Sequence, residues 1–195
     1  MFSRNIIRHL PIVVFALAVS TVVAAQPSSN TRGANAFNAS SGNTGISPLI
    51  NKVRVATARY LDINVAASEG WVRGTPCVSG PNSGAMGVHF ILPARVGDGV
   101  LNANEPEALI YEPLPSGAMR LVGVEFIVLA ADWARLHPEG STPALDGHLT
   151  NLVGEPNRYG LPAFYELHVW AWENNPNGNF ADWNTRVTCE NQPPA

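Results

Sequence analysis

The sequence predicts an α+β domain in which one amphipathic helix packs on an antiparallel β-sheet or half-barrel. Three observations favour this class. Apolar residues recur at helical spacing over residues 47–69, whereas short apolar runs separated by Gly, Pro and Asn occupy most of the chain after Cys77. The segment 112–120 reads as a turn that joins its two flanking runs as an antiparallel hairpin. Cys77 and Cys189 bracket nearly all of the strand-like sequence, which suits one disulfide-bonded domain.

The predicted helix begins at Ser47-Pro48, where a capping side chain is followed by a proline at the first turn. Gly70 ends it. Its apolar residues lie mostly three or four positions apart: Leu49, Val53, Ala56, Tyr60, Ile63 and Ala67. Charged residues mostly take the other side, so we expect a helix of about five turns that packs one apolar face on the rest of the domain.

Apolar runs after the helix predict the strands of the sheet. Four of them read as strands: 86–92, 108–112, 121–129 and 165–172. A weaker fifth strand is expected at 185–189. The segment 137–161 is long and rich in Pro and Gly. Such a segment is typical of a binding loop, and we expect it to form a partial lid.

The first 25 residues have the three parts of a signal peptide: a basic start with Arg4 and Arg8, an apolar stretch at 10–23, and small residues before a cleavage site ahead of Gln26. An uncleaved anchor is the alternative. Residues 26–46 are mostly Ser, Asn, Gly, Ala and Thr, which predicts a flexible linker. We therefore expect a signal peptide at 1–25, a linker at 26–46 and one globular domain at 47–195. The mature protein would be periplasmic or secreted and would not remain attached to a membrane.

Composition and cysteine content exclude some classes of protein. The net charge is −3, with 14% charged residues and no basic stripe, so nucleic acid is not an expected partner. A hydrophobic fraction of 46% is ample for a packed core. In an oxidising compartment Cys77 and Cys189 predict one disulfide. Two thiolate ligands of one metal are the weaker alternative, because neither cysteine has a CxxC partner.

Three polar residues stand out because each interrupts an otherwise apolar run: His89, Glu125 and His168. The run around Glu125 is apolar on both faces, so a buried carboxylate there needs an ion pair, a hydrogen bond or a metal. If the three side chains share one face of the sheet, two histidines and one carboxylate suit zinc, iron or copper with open positions for water or substrate. Two alternatives stay open: a metal-free catalytic or ligand pocket, and a structural polar core in which Glu125 pairs with Arg95 or Arg120.

Four further side chains are weaker candidates. Glu112 ends the second predicted strand and His148 lies in the segment 137–161, so either could supply an additional metal ligand. An exposed strand end and a solvated loop are the alternatives. Alternation places Trp170 and Trp172 on the face of His168, where they would wall a pocket or form aromatic core.

Several longer segments carry a family resemblance: ATARYLDINVAASEGW, CVSGPNSGAMGVHF, EALIYEPLPSGAMRLVGVEFIV and LHVWAWENNPNGNFADWN. Together they resemble a family of exported bacterial proteins that share the motifs MGVHF, GVEF and LHVW…NPNG. The resemblance covers roughly residues 53–189 and implies that the helix, the strands and both cysteines form one domain. Family members usually continue the last motif as WNP, whereas Thr185 follows Trp183-Asn184 here. The resemblance supplies no catalytic residues, so the candidate site depends on the physical argument.

These observations lead to one hypothesis and two alternatives. The hypothesis is an exported domain that holds one transition metal ion, either zinc, iron or copper, through His89, Glu125 and His168 beside a pocket for a small molecule. The first alternative is a metal-free module that binds a small ligand in the same pocket. The second is a structural envelope protein whose polar residues only fix the core. The oligomeric state stays open.

Overall fold

The computed structural model of the chain describes residues 47–80 and 82–192, so the predicted signal peptide 1–25 and the predicted linker 26–46 lie outside the described residues. The fold is α+β, as predicted: short helices and an antiparallel sheet. In the described part of the chain, no helix is both long and apolar enough to cross a membrane.

The helical segment at the start is broken, which corrects the prediction of one five-turn helix. Helix α1 is Pro48–Thr57, a 3-10 turn follows at Ala58–Leu61, and helix α2 is Ile63–Ser68. Two contacts explain the break. The Tyr111 hydroxyl donates a hydrogen bond to the carbonyl oxygen of Tyr60. The Asp62 side chain accepts a hydrogen bond from Asn64 N and so caps a new helix.

The strands that follow are β1 (Val72–Arg73), β2 (Val78–Gly80), β3 (Gly84–Ile91), β4 (Ala108–Pro113), β5 (Met119–Leu129), β6 (Ala144–Leu145), β7 (His148–Leu149), β8 (Asn151–Val153) and β9 (Phe164–Val169). Two short helices, α3 (Pro93–Val96) and α4 (Ala130–Leu136), follow β3 and β5. The main sheet has the order β1-β3-β4-β5-β9-β8, with β2 also paired to β3. All of its described pairings are antiparallel. The predicted hairpin between β4 and β5 is present.

An irregularity in the β4–β5 ladder decides which residues share a face. Ile110 pairs with Gly123, but Tyr111 pairs with Leu121, so Val122 is the extra residue of a bulge. Strict alternation would put Leu121 on the face of Glu125. Because of the bulge, Leu121 instead joins Val124 in the core on the opposite face.

The first face of the sheet packs on the N-terminal helical segment. Its core includes Leu49, Val53, Tyr60, Trp71, Leu109, Tyr111, Val124, Phe126, Leu167 and Val169. The second face carries His89, Glu125 and His168 between two smaller apolar clusters. Helices α1 and α2 therefore cover the sheet on the side opposite to the candidate site.

The second face is covered by two irregular segments, 154–163 and 170–192. The predicted strand 165–172 ends at Val169, where the chain turns and Ala171 N donates to Val169 O. The predicted fifth strand 185–189 is absent from the described structure. Instead Asn184 forms a single β-bridge with Ala85, and Val187 N closes a turn to Asn184 O.

The segment 137–161 contains more structure than a loop. Strands β6 and β7 form a hairpin around Asp146-Gly147, both of which have positive φ. Strand β8 then pairs with β9 at the edge of the main sheet. The predicted disulfide between Cys77 and Cys189 is confirmed and ties the end of the chain to the start of the strand-rich region.

Candidate metal centre

Sheet register brings the three predicted residues together. Glu125 on β5 lies directly opposite His168 on β9. His89 on β3 is separated from Glu125 by β4, whose residue beside Glu125 is the small, fully buried Ala108. Across this short side chain, Nε2 of His89 approaches Oε2 of Glu125 to 3.3 Å. The structure thus forms a buried group of His89, Glu125 and His168 that could bind a metal.

The geometry of this group is compatible with ligands around one ion. One ligand atom from each of the three residues lies within 4.8 Å of the others, and the residues are only 3%, 4% and 1% exposed. Two donor atoms that are each about 2.1 Å from one ion are about 3.0–3.4 Å apart at octahedral or tetrahedral angles. The 3.3 Å separation of the His89 and Glu125 atoms falls in this range.

Thr75 fixes the ring of His89. Its Oγ1 lies 3.1 Å from Nδ1 of His89 and accepts a hydrogen bond from the backbone N of the same residue. A ring in which Nδ1–H donates to Thr75 leaves the lone pair of Nε2 facing Glu125. Burial lowers the pKa of His89 to about 4, so the imidazole is neutral at physiological pH and can bind a cation.

His168 is the most unusual residue of the group. It is buried, and neither of its ring nitrogens has a hydrogen-bond partner. The nearest carboxylate atom to Nδ1 is Oδ1 of Asp182, at 3.7 Å. Burial, and next the proximity of His89, lower the pKa of His168 to about 3. A buried neutral imidazole without any partner is costly unless a ligand occupies one of its nitrogens.

Two buried carboxyl groups lie side by side at the centre. Glu125 and Glu166 project from β5 and β9 on the same face of the sheet. Burial, and next repulsion from Glu166, raise the pKa of Glu125 well above its usual value; burial also raises the pKa of Glu166. Among the residues described, no Lys or Arg forms an ion pair with either carboxylate.

The two arginines that could have neutralised Glu125 are engaged elsewhere. Arg95 lies 3.8 Å from Glu105 and donates to the carbonyl oxygen of Pro106. Arg120 pairs with Glu112 and Glu173. The alternative in which Glu125 pairs with one of these arginines is therefore not observed.

A second group of possible ligands shares His168 with the first. It consists of Glu166, His168 and Asp182, with ligand atoms within 4.8 Å of one another. Asp182 comes from the irregular segment after β9. Asn175 shapes this segment by donating hydrogen bonds to the carbonyl oxygens of Ala181 and Trp183, on either side of Asp182.

A cavity of about 80 Å³ adjoins the first group. Its lining comprises Gly74, Thr75, His89, Ile91, Glu125, Ile127, Tyr159, Leu161 and Phe164. Tyr159 and Leu161 form part of its wall, and Asn157 Oδ1 accepts hydrogen bonds from Tyr159 N and Leu161 N, which orders this turn. The end of the predicted lid segment thus lies over the site, with room below it for a few water molecules or a small ligand.

The remaining predicted site residues lie away from this cavity. Trp170 is on the face of His168, with ring centroids 6.3 Å apart, but packs with Ile110 and Val122. Trp172 follows the turn at the end of β9 and donates to Thr57 Oγ1 on the opposite face. The aromatic side chains that line the cavity are Tyr159 and Phe164 instead.

The two additional candidate ligands are also occupied elsewhere. Glu112 accepts hydrogen bonds from Arg120 and from Thr188 N. His148 stacks on Phe180, with ring centroids 3.9 Å apart. Neither belongs to a described group of possible ligands.

Sequence reasoning missed three residues of the site. Glu166 carries a detectable signal, because alternation in β9 places it on the face of His168. Thr75 and Asp182 carry none, since each is brought to the site by an irregular segment. Comparison with known proteins finds no matching family model, no matching curated protein and no matching solved structure.

Proposed function

We propose that this chain is an exported metal-binding protein that holds one transition metal ion through His89, Glu125 and His168. The observation that carries the proposal is His168, a buried imidazole with both nitrogens unpartnered beside a carboxylate and a second imidazole. An ion bound at this point gives the imidazole a partner and neutralises the buried carboxylate at the same time.

The ligand chemistry favours zinc, iron or copper. Imidazole nitrogen suits all three, and two histidines with one carboxylate leave further coordination positions open. The two imidazoles need not lose a proton, because burial already keeps both neutral. The ion would displace the proton that the raised pKa of Glu125 retains on this carboxyl group.

The open positions would face the cavity, because His89 and Glu125 both line it. A metal ion bound there supplies Lewis-acid chemistry toward water or a small substrate. The chain itself contributes an apolar wall of Ile91, Ile127 and Leu161 and a turn that limits the entry of water. The disulfide supports an oxidising, extracytoplasmic location.

The same apolar wall favours a second candidate function, a metal-free module that binds a small neutral molecule. In this case Glu125 would stay protonated and His89 would hydrogen-bond the ligand. A third reading, a purely structural polar core, is disfavoured by His168, because a core histidine is normally hydrogen-bonded.

Titration with Co²⁺ distinguishes these functions, since its visible absorption reports the number and type of ligands. The experiment uses tag-free, disulfide-intact protein and the variants His168→Gln and Glu125→Gln, with His148→Gln as the matched control on a histidine outside the site. We expect the two site variants to weaken binding by more than about 100-fold, beyond the usual effect of changing an outer-shell residue. The control should bind like the native protein.

Two results would contradict the proposal. One is native protein that binds no Co²⁺, Zn²⁺, Fe²⁺ or Cu²⁺ with a dissociation constant below about 100 μM. The other is equal loss of binding in the His148→Gln control, which would place the ion elsewhere. Circular dichroism of each variant separates loss of binding from loss of fold.

A further inference from the structure

We propose a second cation site, formed by Glu166, Asp182 and the second ring nitrogen of His168, so that His168 bridges two metal ions. This inference rests on the proposed function, because the first ion occupies the other nitrogen of the same ring. The second site shares one side chain with the first but adds two carboxylates that the first does not use.

The two histidines of the centre differ in how their rings are satisfied. In His89 one nitrogen faces Glu125 and the other contacts Thr75, as in an ordinary metal ligand whose second nitrogen is held by a neighbour. In His168 both nitrogens are buried and without a hydrogen bond. One bound ion gives one of these nitrogens a partner and leaves the other without one. With two bound ions, each ring nitrogen coordinates one ion.

The carboxylates of Asp182 and Glu166 lie near Nδ1 of His168, where a second ion would bind. Oδ1 of Asp182 lies 3.7 Å from Nδ1 of His168, slightly more than the separation of about 3.0–3.4 Å between two ligands of one ion, so the partly exposed Asp182 side chain would move a few tenths of an ångström inward on binding. Glu166 is only 4% exposed, and its buried Oε2 also has no hydrogen-bond partner. Two buried atoms therefore have unused ligand capacity at the same point.

Two divalent ions would balance the charge of the fully ionised cluster. Glu125, Glu166 and Asp182 carry three negative charges when ionised, and no described Lys or Arg forms an ion pair with them. One divalent ion leaves one uncompensated negative charge in a largely buried cluster. With two divalent ions and a bridging imidazolate, the net charge of the cluster is zero. The ring proton of His168 would leave to solvent as the second ion binds.

Asp182 gives the second ion a path to solvent. Its side chain is 32% exposed, whereas Glu166 and His168 are buried. Asn151 donates to the same Asp182 oxygen at 3.4 Å, a long hydrogen bond that leaves room for a stronger ligand. The second ion should therefore bind later and exchange faster than the first.

The test is the stoichiometry of Zn²⁺ binding to full-length mature protein by calorimetry, together with electron paramagnetic resonance of the Cu²⁺-loaded protein. We expect two equivalents of Zn²⁺ for the native protein and one for Asp182→Asn and for Glu166→Gln. Glu139→Gln is the control, because Glu139 is an exposed carboxylate outside both groups. Two Cu²⁺ ions bridged by one imidazolate should lose most of their resonance signal through spin coupling, and this signal should return in Asp182→Asn.

The outcomes separate the two proposals. Absence of binding overturns both. One equivalent in the native protein, with loss of binding in His168→Gln, overturns the second site and leaves the first. If Asp182→Asn keeps the native stoichiometry, Asp182 is not a ligand of a second ion, and the second site as proposed is overturned.

Discussion

His89 on β3 and His168 on β9 belong to the same buried cluster, yet only His89 has a hydroxyl against its second nitrogen. Thr75 provides this contact from the irregular segment between β1 and β2. Because the Thr75 oxygen also accepts the backbone N–H of His89, it fixes both the ring and the strand that carries it. The orientation of one candidate metal ligand thus depends on a residue that lies 14 positions away in the chain.

Replacing Thr75 tests this dependence. We expect Thr75→Ala to weaken metal binding by about 10- to 100-fold, because the His89 ring loses the contact that orients Nε2 toward the ion. Thr75→Ser keeps the hydroxyl and should restore binding to within a few-fold of the native value. Competition with a chelator of known affinity measures the change. Equal affinities for the Ala and Ser variants would show that the hydroxyl does not position His89.

The sequence reveals the ligands better than the residues that support them. His89, Glu125 and His168 could be identified because each is the polar exception in a run of apolar residues. Asp182 and Thr75 stand in polar, irregular surroundings where an Asp or a Thr is unremarkable. Their roles arise only when the segments that carry them fold back onto the sheet, which local periodicity does not report.

At the level of elements, the relative position of β5 and β9 sets the distance between Glu125 and His168. Gly123 lies two residues before Glu125, next to the bulge at Val122. A Cβ at Gly123 would lie 2.8 Å from the carbonyl oxygen of Val169, on the neighbouring strand. The absence of a side chain therefore allows the two strands to approach each other closely beside the site.

Gly123→Ala should disturb both the sheet and the site. We expect a loss of about 1–3 kcal/mol in the free energy of unfolding, because the methyl group overlaps backbone that cannot move without separating the strands. Metal affinity should fall as well, since Glu125 and His168 move apart. The control is Gly154→Ala, where a Cβ meets nothing within 4 Å. Urea denaturation and chelator competition measure the two effects, and a Gly123→Ala variant with native affinity would contradict this account of the register.

Some elements of the fold could be predicted from the sequence and others could not, and the difference has physical causes. The four strands that carry or flank the site were found from their apolar runs, because a strand buried on both faces has a clear composition. The bulge at Val122 was not predicted, since an extra residue in a ladder leaves no mark on a uniformly apolar run. The β6–β7 hairpin had a usable signal, Asp146-Gly147, within a segment that was interpreted as a loop.

For the whole molecule, the sheet separates an apolar face from a face that holds buried titratable side chains. The helical segment covers the apolar face, and the irregular segments 154–163 and 170–192 cover the other face. Glu107 adds a further buried carboxyl group beside the start of β4 and accepts a hydrogen bond from Ile127 N. Burial outweighs this hydrogen bond and raises the pKa of Glu107 to about 8.

This shift predicts how stability depends on pH. The folded protein retains the Glu107 proton up to about pH 8, whereas the unfolded chain releases it near the usual value of 4.5. The contribution of Glu107 to stability is therefore fully present below about pH 4.5 and is lost as the pH rises to 8. Glu107→Gln keeps an acceptor for Ile127 N without titrating. Relative to native protein, it should gain stability on the order of 3–5 kcal/mol between pH 5 and pH 8.5.

The measurement for Glu107 is urea denaturation of both proteins at the two pH values, in the presence of a chelator. The Glu125 and Glu166 carboxyls add their own pH dependence to both proteins, so the difference between native protein and variant isolates Glu107. Parallel pH profiles for the two would contradict a protonated Glu107 in the folded state.

The central claim is that the buried cluster holds metal, and the metal content of the protein as isolated tests it most directly. The disulfide-intact protein would be purified without a histidine tag or chelator and analysed by elemental mass spectrometry beside His168→Gln. We predict at least one equivalent of zinc, iron or copper in the native protein and less than about a tenth of that in the variant. Folded native protein that contains no metal and takes up none when zinc, iron or copper is added would contradict the account.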